Sequence, residues 1–168
     1  MQLPNRKEIR MKDYDYSLPN VYFLTICTDK RKNLFWENVG AAIRRPEDTV
    51  LSQYGKIVDG VISDIPNHYA AVSVDHYVIM PNHIHLLLRI SSDDSGRRIA
   101  APTISTVVNQ MKGAASRAAG FSVWQKGFYD HVVRSKDDYR EIWDYISGNP
   151  MQWAEDRISG GKNGHPIK

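Results

Sequence analysis

VIMPNHIHLLLRI, residues 78–90, is the stretch from which the fold is read. His83 and His85 stand one residue apart at the head of an apolar run. A strand has a side-chain period of two, so both imidazoles face one side while Ile84, Leu86, Leu88 and Ile90 fill the other. Before them, Pro81-Asn82 is a tight turn, and Ala70–Met80 is a strand that pairs antiparallel with His83–Ile90. Two imidazoles held on a rigid strand have the geometry of a metal clamp for a divalent ion such as manganese, zinc or nickel. Two half-buried histidines hydrogen-bonded to backbone fit the same spacing equally well.

Working outward, Val21–Thr28 (VYFLTICT) is β-branched and aromatic and reads as the first strand. It runs into a polar, basic turn, Thr28-Asp29-Lys30-Arg31-Lys32-Asn33. Residues 37–49 read as a connecting loop. Between Thr49 and Ile65 the apolar positions recur every three or four residues, which predicts an amphipathic helix stopped by Pro66. Ser91–Pro102 is a polar loop, and Thr103–Ala119 a second helix with Thr103 or Ser105 as its cap. An aromatic and basic segment, Val123–Arg134, ends in a short strand. Ser135 then caps a last helix with Asp137 and Asp138 in its first turn, running to about Ser147 before Gly148 and Pro150 end it. This order of elements predicts an α+β fold, a ferredoxin-like (RRM-like) antiparallel sheet with helices packed on it.

With 168 residues and ordinary apolar and charged fractions, the chain suits one domain, residues 1–168. Its 22 Lys plus Arg against 19 Asp plus Glu permit a polyanionic partner without requiring one. The single cysteine, Cys27, gives no sign of an oxidising compartment. No run approaches the roughly 18 apolar residues of a membrane span, and residues 1–16 lack a signal peptide's apolar core. A cytoplasmic protein is expected. Residues 1–17 carry Arg6, Lys7, Arg10 and Lys12 among Tyr14 and Tyr16, which suits either an arm lying on phosphates or a solvated leader. The Gly-rich tail, 159–168, is expected to be disordered.

On the last helix, Tyr139, Ile142, Trp143 and Ile146 form the expected core stripe. Tyr145 and Asn149 lie about 40° apart on its flank, so phenol and carboxamide face one point. Asn149 precedes a proline, which biases it away from helical geometry. A phenol and a carboxamide brought over a two-histidine strand suit phosphoryl transfer: tyrosinate attacks phosphorus, a metal offsets the developing charge, and Asn149 adds a neutral oxygen ligand. Because free tyrosine titrates at roughly pH 10, such a site must help remove its proton.

Here a resemblance becomes specific. VIMPNHIHLLL resembles the HUH signature (His, bulky apolar, His) of single-tyrosine transposases, and WQKGFYDHVVRSKDDYREIWDYISGNP is similar to the C-terminal signature of REP-associated tyrosine transposases. The N-terminal NRKEIR, the DYDYS segment and the VYFLTICTDKR strand match the same subfamily, so the likeness spans about residues 5–153. The resemblance implies an HUH endonuclease type of fold, with His83 and His85 as metal ligands, Asn149 as the third ligand and Tyr145 as the nucleophile. It implies Mg²⁺ or Mn²⁺ and a single-stranded DNA partner with hairpin (REP-like) elements. Cleavage would leave the 5′ end on tyrosine and a free 3′-OH, open to strand transfer by reversal. The enzyme would be a metal-dependent tyrosine transposase, working as a monomer or a homodimer. The 44–50 loop (RRPEDTV) is longer than the family suggests, which touches loop-level DNA contacts rather than the active centre.

Lys126 and Arg134 flank the aromatic segment and suit either phosphate contacts or a solvated face. His131 reads as a structural cap more readily than as a site residue. Trp124 and Phe128 read as core rather than as stacking platforms. Two other functions compete. A histidine-nucleophile hydrolase needs a third histidine where this chain has Leu87. A catalytically silent DNA-hairpin-binding protein derived from a transposase would keep the fold and the basic surface alone.

Overall fold

A computed structural model of the chain describes residues 20–37, 46–91 and 102–158. The elements are β1 (Asn20–Cys27), α1 (Gln53–Ser63), α2 (Ile65–His68), β2 (Val72–Met80), β3 (His83–Ile90), α3 (Ile104–Ala119), β4 (Tyr129–Val133) and α4 (Lys136–Ile158). Single 3₁₀ turns cover Asp29–Arg31 and Pro46–Asp48. The strands form one antiparallel sheet in the order β2-β3-β1-β4, with His83 opposite Cys27 and His85 opposite Thr25. The sheet is the expected antiparallel one with helices packed on it.

Strand alternation divides the chain between two layers. Tyr22, Leu24 and Ile26 of β1 and Ile84, Leu86, Leu88 and Ile90 of β3 pack with Val58 and Ile62 of α1 and Val107, Val108 and Met111 of α3 in the larger core. The other face, carrying Val21, Phe23, Leu87 and Val133, is covered by Ile142 and Ile146 of α4. The histidines belong to this second face. β2 forms one margin of the sheet, and its register slips between Val74 and His76, a β-bulge at Asp75.

Local chemistry sets the helix ends. Ser52 Oγ accepts from the Gly55 N–H at 3.1 Å and Thr103 Oγ1 from the Thr106 N–H at 3.2 Å, each capping a first turn. Asp138 N donates to Ser135 Oγ at 3.0 Å, the cap expected for α4. Gly120, at φ 84°, ends α3 in the left-handed conformation that glycine adopts freely.

Two helical boundaries differ from expectation. The helix expected over Thr49–Ile65 starts only at Gln53, because Leu51 is spent on a bridge to Trp36; Pro66 then opens the short α2 instead of stopping the chain. The helix expected to end near Ser147 continues through Pro150 to Ile158. Proline removes one backbone hydrogen bond there, yet the helix runs on, burying Asn149 and Trp153 on either side of it. The buried stripe of α4 is accordingly Ile142, Ile146, Asn149, Pro150 and Trp153. Trp143, expected in that stripe, is 37 % exposed and stacks on His76 at the sheet margin, 4.2 Å between centroids.

Candidate active site

The site lies between α4 and the start of β3. Thr28 N donates to Asn82 O at 3.0 Å, and Leu34 N and Phe35 N both donate to Pro81 O, so the Pro81-Asn82 turn is clamped by the chain that follows β1. His83 and His85 leave this turn 6 % and 2 % exposed. Their Nε2 atoms converge to 3.1 Å, with ring planes 74° apart. The other nitrogen of each ring is held by a side chain rather than by backbone. His83 Nδ1 lies 2.8 Å from Asn82 Oδ1, and His85 Nδ1 lies 2.9 Å from Thr25 Oγ1.

These partners fix where the protons go. Asn82 Nδ2 donates to Arg31 O at 3.4 Å, which leaves Oδ1 to accept from His83 Nδ1–H. A neutral His83 therefore presents a bare lone pair at Nε2. The Thr25 hydroxyl accepts as readily as it donates, so His85 has two tautomers. With its proton on Nε2, His85 donates to His83; with it on Nδ1, two lone pairs face one spot, an arrangement that only a cation satisfies. Burial pushes His83 down to about 4, with the Arg31 guanidinium adding to the shift, and burial with the neighbouring His83 holds His85 well below the usual range. Both rings are thus neutral at neutral pH.

The pair fits a divalent ion. Two donors about 2.1 Å from one ion lie roughly 3.0 Å apart at a right angle and roughly 3.4 Å apart at the tetrahedral angle, so a 3.1 Å separation is closer to octahedral coordination. No group of three His, Cys, Asp or Glu that could hold a metal occurs among the described residues, so the further ligands these residues offer are neutral oxygens such as an amide.

Tyr145 lies over this pair, its ring 5.2 Å from that of His85 and edge-on to Phe23 at 6.1 Å. Phe23 in turn stacks on His85 at 5.3 Å. One turn further, Asn149 is buried and its Nδ2 donates to Tyr145 O at 3.4 Å, which leaves its Oδ1 available as a lone-pair oxygen. Trp153, one turn beyond, brings its ring within 6.0 Å of His83. Tyr145, Asn149 and Trp153 thus descend α4 over the histidine strand. Trp153 and the orienting Thr25 carry no sequence signal of their own, and Asn82 carries only that of a turn; Thr25 becomes visible only when strand register sets it opposite His85.

The remaining expected residues divide by position. Lys126 is exposed and follows Trp124 and Gln125, which pair with Thr28 and with Cys27 O, so it stands at the histidine end of the sheet. Arg134 is exposed at the far end of β4, where its N–H donates to Asp138 Oδ2. His131 Nε2 lies 3.0 Å from the same oxygen, so it ties β4 to the first turn of α4 as a structural residue. Trp124 and Phe128 are buried in the larger core. Arg6, Lys7, Arg10 and the tail 159–168 lie outside the described residues. A cleft of about 780 Å³ between α1, α2 and α3 is on the opposite side of the sheet and shares no residue with the site. Among the described residues no helix is long and apolar enough to cross a membrane.

No family model matches the chain. It is 28% identical over 173 residues to an uncharacterized protein of Haemophilus influenzae, covering 92% of this chain and 93% of that one. It is also 28% identical over 80 residues to a REP-associated tyrosine transposase of Escherichia coli, covering 47% of this chain and 44% of the relative. The fold is similar to the solved structure of a REP-associated tyrosine transposase bound to a REP hairpin, with a TM-score of 0.62 and 21% identity over 86% of this chain and 77% of that one.

Proposed function

We propose that the chain is a transposase of the single-tyrosine type, a metal-dependent endonuclease and strand transferase acting on single-stranded DNA with hairpin elements. The observation that carries this reading is the position of the Tyr145 ring, 5.2 Å from one member of a histidine pair whose Nε2 atoms converge to 3.1 Å. The strand order β2-β3-β1-β4 supports the ferredoxin-like, HUH-type reading of the sheet.

In this reading His83 and His85, with the Asn149 carboxamide oxygen as third ligand, hold Mg²⁺ or Mn²⁺. The ion, when bound, polarises the scissile phosphate and offsets its developing charge. Asn82 and Thr25 hold the two imidazoles in register. Tyr145 Oη attacks phosphorus: the new bond joins the tyrosine oxygen to the 5′ phosphate, the bond to the 3′ oxygen breaks, and that oxygen leaves as a 3′-OH with a proton. A 3′-OH attacking the phosphotyrosine reverses the step and completes strand transfer without an energy-rich cofactor.

The test is incubation with labelled hairpin oligonucleotides from the DNA flanking the gene, with Mg²⁺ or Mn²⁺, read on a denaturing gel. A metal-dependent covalent adduct is expected, falling to background in Tyr145→Phe while hairpin affinity stays within about twofold. Tight hairpin binding that survives chelation, with no adduct, would assign the chain to silent hairpin binders.

A further inference from the structure

The basic turn after β1 is absorbed by none of these roles, and its backbone is unusual. Lys30 and Arg31 have φ of 51° and 56°, the left-handed region that residues bearing a Cβ rarely adopt. The turn is held there on several sides. Arg31 N and Lys32 N donate back to Thr28 O and Asp29 O, Thr28 Oγ1 donates to Lys32 O at 2.8 Å, and Asp29 N donates to Val123 O at 2.9 Å. The Arg31 carbonyl accepts from Asn82 Nδ2, whose Oδ1 orients His83. The turn is therefore one residue removed from the histidine pair.

Its side chains face outward. Lys30, Arg31 and Lys32 are all exposed, and among the described residues none makes an ion pair. Against the single carboxylate of Asp29 the three cations leave a local charge of +2. Exposed Lys126 stands at the same end of the sheet, because Gln125 N donates to Cys27 O. A strained, multiply fastened turn that serves only to connect strands has no reason to carry three cations that make no ion pair among the described residues beside a buried histidine pair. Strain of this kind concentrates where a side chain must be presented in one direction.

We infer that the Lys30–Lys32 turn is a phosphate-binding element that grips the backbone of a single DNA strand where it enters the histidine site. The inference rests on the strand-cleaving reading above and gives that reading its entry contact. Arg31 suits the phosphate nearest the histidines, since its planar fork binds two phosphate oxygens at once, whereas Lys30 serves as a point charge. Contacts of this kind carry no base preference; they set the strand's position.

The experiment measures binding of a labelled single-stranded oligonucleotide in chelator, so that no metal contributes, from about 50 to 200 mM salt. Arg31→Asn and the double variant Lys30→Asn/Arg31→Asn remove charge while placing in the left-handed positions the residue that tolerates them best, so folding is protected. Each lost charge is expected to flatten the plot of log affinity against log salt by about 0.7 and to weaken binding about fivefold at 0.1 M salt. Arg31→Lys is expected to restore most of the slope. An unchanged slope in the double variant would overturn the inference, even if the wild type forms its tyrosine adduct. A flattened slope in a protein that forms no adduct would keep the turn as a strand-binding element while removing the cleavage reading.

Discussion

The two faces of the sheet are made by alternate residues of the same strands, yet they are built differently. On the α1 and α3 side, Tyr22, Leu24, Ile26, Ile84, Leu86 and Leu88 are fully buried. On the α4 side the matching positions include Thr25, His83 and His85, covered by Tyr145, Asn149 and Trp153. The first face stabilises the fold by burial, at about 25 cal/mol per Å² of apolar surface. The second gives up part of that burial to hold polar groups that need each other, so its few apolar residues (Val21, Phe23, Leu87, Val133, Ile142, Ile146) act as a frame around the site. One period-two pattern thus separates stability from chemistry.

The contrast is broken most severely from the stable side. Leu86→Ala opens a cavity in the larger core and is expected to cost about 2–5 kcal/mol in urea denaturation, while the Mn²⁺ affinity proposed for the histidine site is unchanged in the folded fraction. Loss of metal binding in the folded protein would mean that the two faces are not separable.

Acid tests the site face next. An unfolded histidine titrates at 6.5, but His83 is held to about 4 and His85 well below 6.5, so the unfolded chain binds more protons as pH falls. The stability is fully present above pH 6.5 and is lost as pH drops through the folded values. His83 alone accounts for a loss of about 3 kcal/mol by pH 4, and His83→Asn is expected to remove that part of the dependence. A flat stability profile between pH 7 and pH 4 would show that the pair is not buried in solution.

The smallest expected effect sharpens the comparison. Thr25→Val keeps the shape of the side chain and removes only the hydroxyl that serves His85 Nδ1. Manganese affinity measured by calorimetry is expected to fall about 10- to 100-fold, with thermal stability changed by a few degrees at most. Unaltered affinity would mean that His85 needs no partner to select its tautomer.

Much of this division was legible in the sequence, because alternation is a local signal. The bounds of β3 coincide with the apolar run after Pro81-Asn82, and Thr103 and Ser135 cap their helices as expected. What failed involved choices made by distant residues. Trp143 sits at core spacing on the helix, but it stacks on the His76 ring at the sheet margin and on Tyr139 instead of entering the buried stripe. Pro150 is a helix stop by its own chemistry, overruled by the burial of Trp153. Asn82 is visible beside His83 as a turn residue, but its work as a bridge from Arg31 to the imidazole depends on a turn 51 positions earlier in the chain that only the fold brings beside it.

The bulge at Asp75 has a consequence for how copies of the chain behave when crowded. β2 is a margin of the sheet, and an unbroken margin strand offers its free peptide groups to any other strand that meets it. Here the ladder is interrupted midway, and the Asp75 carboxylate beside the break binds Arg89 at 2.6 Å and Tyr139 Oη at 3.0 Å. An incoming strand meets a kinked backbone and a charged pair instead of a continuous template, so this margin resists the edge-to-edge joining that leads to aggregation.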